Sequence, residues 1–222
     1  VLDGDRGIYA GDDTGSGKYL TEMMLVTPTA GLVGAYRLLD YVLYYPFIDG
    51  DDTDVQTMDN TTTLPRYETG EGVMAMYVAV APTTGGGSFT FDYIDQNGNA
   101  KTSPTQTCSV ASAGISSLIT TQPATAAGGR PFLTLAEGST GIRSITSVTN
   151  IVANGGLGTI VLVKPIAEIA IREINTPIER VWIKEKAPVP FIEDGAYLGL
   201  IVNCAATIAS GQLTGRLNYT WS

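Results

Sequence analysis

Apolar and polar positions alternate with a period of two along most of this chain, the spacing of strands that bury one face. Leu32 to Phe47 is dense in Leu, Val, Tyr and Phe, so it is predicted as one long strand or two consecutive ones. It ends at Pro46, which has no N–H to give to a ladder. Val73 to Ala81 is a second run of strand length, closed by Pro82 and Gly85 to Gly87. Ser88 to Tyr93 then alternates polar and aromatic residues, which puts Phe89, Phe91 and Tyr93 on one side. Asn97-Gly98 predicts a type I′ turn, with Asn99 to Cys108 returning as a partner strand broken by Pro104.

Further candidates are Met23 to Val26, Arg143 to Val152, Gly158 to Lys164 and Glu179 to Lys184. Tyr197 to Ile208 and Gln212 to Trp221 follow, the latter with Leu213, Gly215, Leu217, Tyr219 and Trp221 on one face. Residues 109–141, rich in Ser, Thr, Ala and Gly, read as a long connection with one short strand at Phe132 to Leu135. Ile166 to Ile174 fits helical and strand spacing alike, and its neighbours favour a strand or a short helical turn. Many short strands joined by turns predict an all-β chain. The expected class is an antiparallel β-sandwich, jelly-roll-like, with long irregular loops. Residues 1–22 are expected to be an N-terminal arm or extended loop, and 23–222 a single β-sandwich domain.

Composition supports a packed core, with 44% apolar and 16% charged residues. Charge changes the picture more. Residues 1–72 hold 13 of the 22 acidic residues and only four of the 13 basic ones, so the whole net charge of −9 falls there. Asp49, Asp51, Asp52, Asp54 and Asp59 crowd the polar stretch between the Leu32–Phe47 and Val73–Ala81 runs. A loop that long on a β scaffold reads as a contact surface. Such a face repels phosphate, so no nucleic-acid partner is expected; a basic protein surface or a cation is better matched.

Candidate chemistry is sparse. Without histidine, the commonest general base, the usual zinc ligand and the Ser-His-Asp triad are all missing. Gly15-Ser16-Gly17-Lys18 is not a phosphate loop, because Asp12 stands where its first glycine belongs and Tyr19 follows the lysine. Asp49, Asp51, Asp52 and Asp54 fail the EF-hand pattern, with Asp54 and Asn60 at the sixth and twelfth positions; a looser oxygen-ligand metal site is the weaker alternative to a contact loop. Glu68, Glu71, Glu193 and Asp194 near strand ends are the carboxylates a glycosidase would draw on. No serine-hydrolase elbow is present. Cys108 and Cys204 read as buried free thiols. Asn60-Thr61-Thr62 and Asn218-Tyr219-Thr220 match the glycosylation sequon. The first residues carry no signal-peptide pattern, and no apolar run approaches the roughly 18 residues of a membrane helix, so a soluble protein with no cofactor and no membrane partner is expected. Interface candidates are Tyr44, Tyr45, Phe47, Tyr67, Met74 and Met76, although core packing is the favoured role for Tyr44 and Trp221.

The segment YPFIDGDDTDVQTMDNTTTLPRYETGEGVMAMYVAVAPTTGGGSFTFDY, with the terminal GQLTGRLNYTW, resembles virion structural proteins of tailed bacteriophages, in particular head decoration or cement proteins. The resemblance lies in Gly/Thr-rich turns, alternating strands and the lack of a catalytic set. It implies a non-enzymatic, jelly-roll-like subunit on the capsid exterior, assembled in the host cytoplasm. Its expected partners are the major capsid protein of the same virion and further copies of itself, as a homotrimer. A carbohydrate- or receptor-binding β module of a phage tail fibre is the alternative, and a glycan-cleaving enzyme the third.

Overall fold

The computed structural model describes residues 8–9, 18–58, 63–108, 118–119, 121–123, 130–185, 187–204 and 211–221. Their strands in chain order are β1 (Ile8–Tyr9), β2 (Lys18–Val26), β3 (Gly34–Tyr44), β4 (Ile48–Asp49), β5 (Val55–Thr57) and β6 (Met74–Ala79). Next come β7 (Ser88–Asp95), β8 (Ala100–Thr102), β9 (Gln106–Cys108), β10 (Leu118–Ile119), β11 (Thr121–Pro123) and β12 (Ile142–Val152). The chain closes with β13 (Leu157–Ile171), β14 (Ile178–Val181), β15 (Phe191–Ile192), β16 (Tyr197–Cys204) and β17 (Thr214–Trp221). Among the described residues the only helical turns are of the 3-10 type, at Ala30–Leu32 and Trp182–Lys184, so no helix is long and apolar enough to cross a membrane. The fold is all-β and antiparallel, a sandwich, as the alternation and turn signals predict.

The chain divides into two compact units, where one domain from residue 23 is expected. The first is Val42–Lys164, and the second joins Leu2–Tyr41 to Pro165–Ser222. Two long strands cross the boundary, β3 at Tyr41/Val42 and β13 at Lys164/Pro165. The two separate runs read in the sequence on either side of Pro165 are one strand, and Ile166 to Ile171 is extended rather than helical.

In the first unit, β13 pairs with β6 and β4, and β6 pairs with β10. A second sheet runs β11-β9-β7-β12-β5, with β8 on β7. Ala75, Tyr77, Ile160 and Leu162 from one sheet share a core with Phe89, Phe91, Tyr93, Ile145 and Val148 from the other. The β7–β8 hairpin and its aromatic face follow the sequence pattern, but its turn does not. Gly98 N–H donates to Asp95 O, Asp95 N–H donates to Asn99 O, and Gly98 alone has positive φ (83°). That is a three-residue loop, a type I turn followed by a left-handed glycine, in place of type I′. Asp95 selects it by accepting the Asn97 and Asn99 N–H groups on Oδ1. Phe132 to Leu135 is not a strand. Its backbone groups are taken by the Gln106 side chain at Thr134 and by Ala75 O at Leu133, while the Tyr93 hydroxyl accepts the N–H of Ala136.

In the second unit, β1, β16 and β3 pair in that order, and β2 is flanked by β17 on one side and by β14 and β15 on the other. Leu20, Met23 and Leu25 of β2 meet Tyr36, Leu38, Ile169, Ile171, Trp182 and Leu198 in a separate core. The apolar spacing of β2 slips by one between Leu20 and Met23. A bulge explains it: Asn218 pairs with Glu22 but Tyr219 pairs with Leu20, and the extra residue, Thr21, donates its hydroxyl to Asn218 O at 3.0 Å. β2 begins at Lys18, so the expected arm at 1–22 contains the start of a strand. The predicted Glu179–Lys184 strand stops at Val181, because Trp182 turns inward to the core and leaves Ile183 exposed.

Candidate interaction surface

The acidic loop of the first unit is built by its own aspartates. Asp49 Oδ1 accepts from Asp51 N–H at 2.9 Å, and Asp52 Oδ1 accepts from Asp54 N–H at 2.8 Å, two Asx turns in succession. Gln56 closes the loop, accepting from Asp49 N–H and donating to Asp49 O and Asp52 O. Asn150 of β12, almost fully buried, donates to the same two carbonyls at 2.8 and 2.7 Å and so seats the loop against the sheet. Gly50 is required here, since a Cβ at that position would run into Asn154 and the carbonyl of Gly155. The loop is thereby fixed in shape while Asp49, Asp51, Asp52 and Asp54 stay exposed.

Beside that loop the outer face of the β12–β5 pair is apolar. Val55 stands directly opposite Thr149, and Ile151 follows two residues along β12, where the register to β7 shifts between Asn150 and Val152. Val55 is 66% and Ile151 52% exposed. On this sheet the inward positions of β12 are Ile145, Val148 and Asn150, so the outward ones gain nothing from the core. A rigid acidic rim around two exposed β-branched side chains suits a protein partner that brings apolar and basic groups together.

The sequence candidates separate accordingly. Tyr44 and Phe47 are exposed, Tyr67 and Met74 are half-buried, and Tyr45 and Met76 are buried. Tyr45 and Met76 therefore offer no contact surface, a correction with a clear cause: Tyr45 lies just past the end of β3 with its ring in the shared core, and Met76, on the face of β6 opposite Ala75 and Tyr77, is itself covered to 1% exposure. The Tyr45 hydroxyl accepts the Ile145 N–H at 2.8 Å across the sandwich, and burial raises its pKa although that hydrogen bond opposes the shift. Tyr67 packs on the core with the Lys164 ammonium 5.3 Å from its ring centre. Burial lowers the Lys164 pKa, while Glu71 opposes the shift. Tyr44 and Trp221, both favoured as core, are about half exposed. Val55 and Ile151 were not singled out, because their alternation is indistinguishable from that of a buried strand.

Among the described residues, no cluster of three or more Asp, Glu or Cys side chains is arranged to hold a metal ion. Glu68 and Glu71 belong to the first unit, and Glu193 and Asp194 to the second. Glu71 accepts from Thr140, and Asp194 from the Gly195 N–H. Lys18 is buried at the start of β2, whereas Gly15 to Gly17 lie outside the described residues. Cys108 is a buried free thiol, its pKa raised by burial; the side chain of Cys204 lies outside the described residues. The Asn60 sequon also lies outside them, and Asn218 donates to Glu22.

The second unit carries a different surface. Along β17, Leu217 and Tyr219 pack on the core, while Leu213 and Trp221 on the same face stay 37% and 50% exposed. Leu213 borders an apolar cavity of about 480 Å³ lined in part by Ile8, Met23, Leu25, Leu38 and Leu200. The Tyr219 hydroxyl is buried at its wall with no hydrogen-bond partner among the described residues, and burial pushes its pKa up to about 12. On the outer face Glu22 holds Arg216 and Asn218, and the Arg216 hydrogen bond keeps its carboxyl below the usual range. Tyr19 and Phe191 meet edge to face beside them, 5.3 Å between ring centres.

Comparison of the chain with protein-family models, with curated proteins and with solved structures finds no match.

Proposed function

We propose that this chain is a non-enzymatic structural protein that acts by binding other proteins, and in its most specific form a decoration subunit of a tailed-bacteriophage head. The observation that carries the reading is the Val55–Ile151 pair, exposed on the outer sheet face beside an acidic loop fixed by Asn150. Exposed apolar side chains framed by fixed charge favour association, since apolar burial supplies affinity and the rim supplies register. Bound at the coat surface, the subunit adds contacts that only the assembled shell can make, and so stabilises the shell by mass action. The coat protein it fits offers a small apolar patch flanked by lysines or arginines.

The test is co-sedimentation with shells assembled from the coat protein encoded in the same genome. Wild-type protein pellets with the shells and is released as salt rises, whereas Ile151→Asp stays in the supernatant. Equal pelleting of Ile151→Asp, or none by the wild type, overturns the reading. The Tyr19–Phe191 pair, with Phe191 41% exposed, favours glycan binding as a second reading. Retention on a glycan array that Phe191→Ala abolishes would select it.

A further inference from the structure

We infer that β17 is a self-complementary edge through which two copies of this chain join in one continuous antiparallel sheet. β17 is eight residues long and pairs only with β2 among the described residues. Its free edge can be oriented. The Asn218 carbonyl faces β2, because it accepts the Thr21 hydroxyl at 3.0 Å. Backbone N–H and C=O groups of one residue point the same way and alternate along a strand. Those of Gly215, Leu217 and Tyr219 therefore face away from β2 and, among the described residues, are open to a second strand.

A two-fold axis perpendicular to the sheet at Leu217 satisfies all of them. Leu217 then pairs with Leu217 of the other copy, and Gly215 pairs with Tyr219, each through exchanged N–H···O bonds. On the inner face Leu213 meets Trp221, the two apolar side chains that a single copy leaves exposed. Both come to lie beside the apolar cavity. Tyr219 opposes a glycine, so its ring meets no competing side chain. On the outer face Thr214 meets Thr220, and Arg216 meets Asn218.

Charge agrees with this register. The whole chain carries −9, which opposes self-association in general. At this edge Arg216 is already neutralised by Glu22, and the axis sets each arginine opposite an asparagine instead of a like charge. Area agrees as well. Eight residues of strand run about 27 Å. With side chains on both faces, such an edge buries on the order of 1,000 Å² in total, enough for a specific interface. Long uncovered edges otherwise invite open-ended association, and a closed two-fold pairing removes the hazard.

The test is Thr214→Cys with Thr220→Cys in one chain. In the proposed register these positions form a pair without backbone hydrogen bonds, Cα atoms about 4.5 Å apart, within reach of a disulfide. Within one copy they stand about 20 Å apart along the strand and cannot link. Under mild oxidant the double variant is expected to run at twice the 23.4 kDa chain mass on a non-reducing gel. Wild type and each single-cysteine variant remain unlinked. Thr214→Lys with Thr220→Lys, which opposes like charges twice, is expected to weaken the dimer at least tenfold by sedimentation velocity. No link in the double variant, or a link in a single one, overturns the pairing. A native mass of three chains overturns it too, but leaves the coat-binding reading intact, because that surface lies elsewhere on the chain. A single-chain mass at every concentration also overturns it, and co-sedimentation then decides the coat-binding reading separately.

Discussion

Tyr45→Phe removes one atom from the middle of the first unit. The Tyr45 hydroxyl accepts the N–H of Ile145, a residue next to a register shift on β12, where the ladder to β7 does not use every backbone group. The ring keeps its place in the variant, since the Tyr45 backbone is held separately: its N–H donates to Ile160 O, and its carbonyl accepts the Thr159 hydroxyl. What changes is a buried donor left with no acceptor, which costs about 1–3 kcal/mol. With a urea m-value of about 2 kcal/mol/M, the midpoint should fall by roughly 0.5–1.5 M while m stays constant. The assay is equilibrium unfolding by fluorescence, with amide exchange at Ile145 followed by NMR. Val55→Thr, at a 66% exposed site, is the control and should stay within about 0.5 kcal/mol of wild type. A Tyr45→Phe midpoint equal to that control, with the Ile145 amide still protected, would refute the cross-sandwich hydrogen bond as a source of stability.

Three further outcomes follow from the same reasoning. Tyr219→Phe should be neutral or slightly stabilising at pH 7, because that hydroxyl is buried without a partner among the described residues. Its pKa of about 12 lies above the unfolded value near 10, so the stability tied to the neutral phenol is full below pH ~10 and is lost as pH rises towards 12; thermal melts of the variant across that window should fall less steeply than those of wild type. Gly158→Ala drives a Cβ into the Tyr77 ring and should cost about 1–3 kcal/mol in urea unfolding, provided the strand cannot shift. Asn150→Ala leaves the Asp49 and Asp52 carbonyls to Gln56 alone and unties the loop from β12, so a protease that cuts before aspartate should cleave the loop faster than in wild type.

The sequence made most of the strands legible, because alternation is a local signal and burial follows it. β7 alternates without a break, and its three aromatics face the core. What stayed hidden depends on partners far along the chain. Thr21 looks like an ordinary strand residue, and only its meeting with Asn218 makes it a bulge. Trp182 and Ile183 exchange inward and outward roles because a 3-10 turn interrupts the period of two. Pro165 reads as a strand end, yet β13 passes through it. The same limit governs the site. The acidic loop is visible as a charge cluster, but its seat on the sheet comes from Asn150, about a hundred residues away. Tyr45 and Met76 carry the residue types of an interface and sit in the core; Val55 and Ile151 carry those of a core and sit outside.

The central claim is that residues 49–57 with 147–152 form a protein-binding face. Hydrogen exchange with mass spectrometry, run on the protein alone and on coat shells, tests it most directly. Slower exchange confined to those two segments on the shell is the result expected. Unchanged exchange there while the protein is bound, with protection appearing elsewhere, would contradict it.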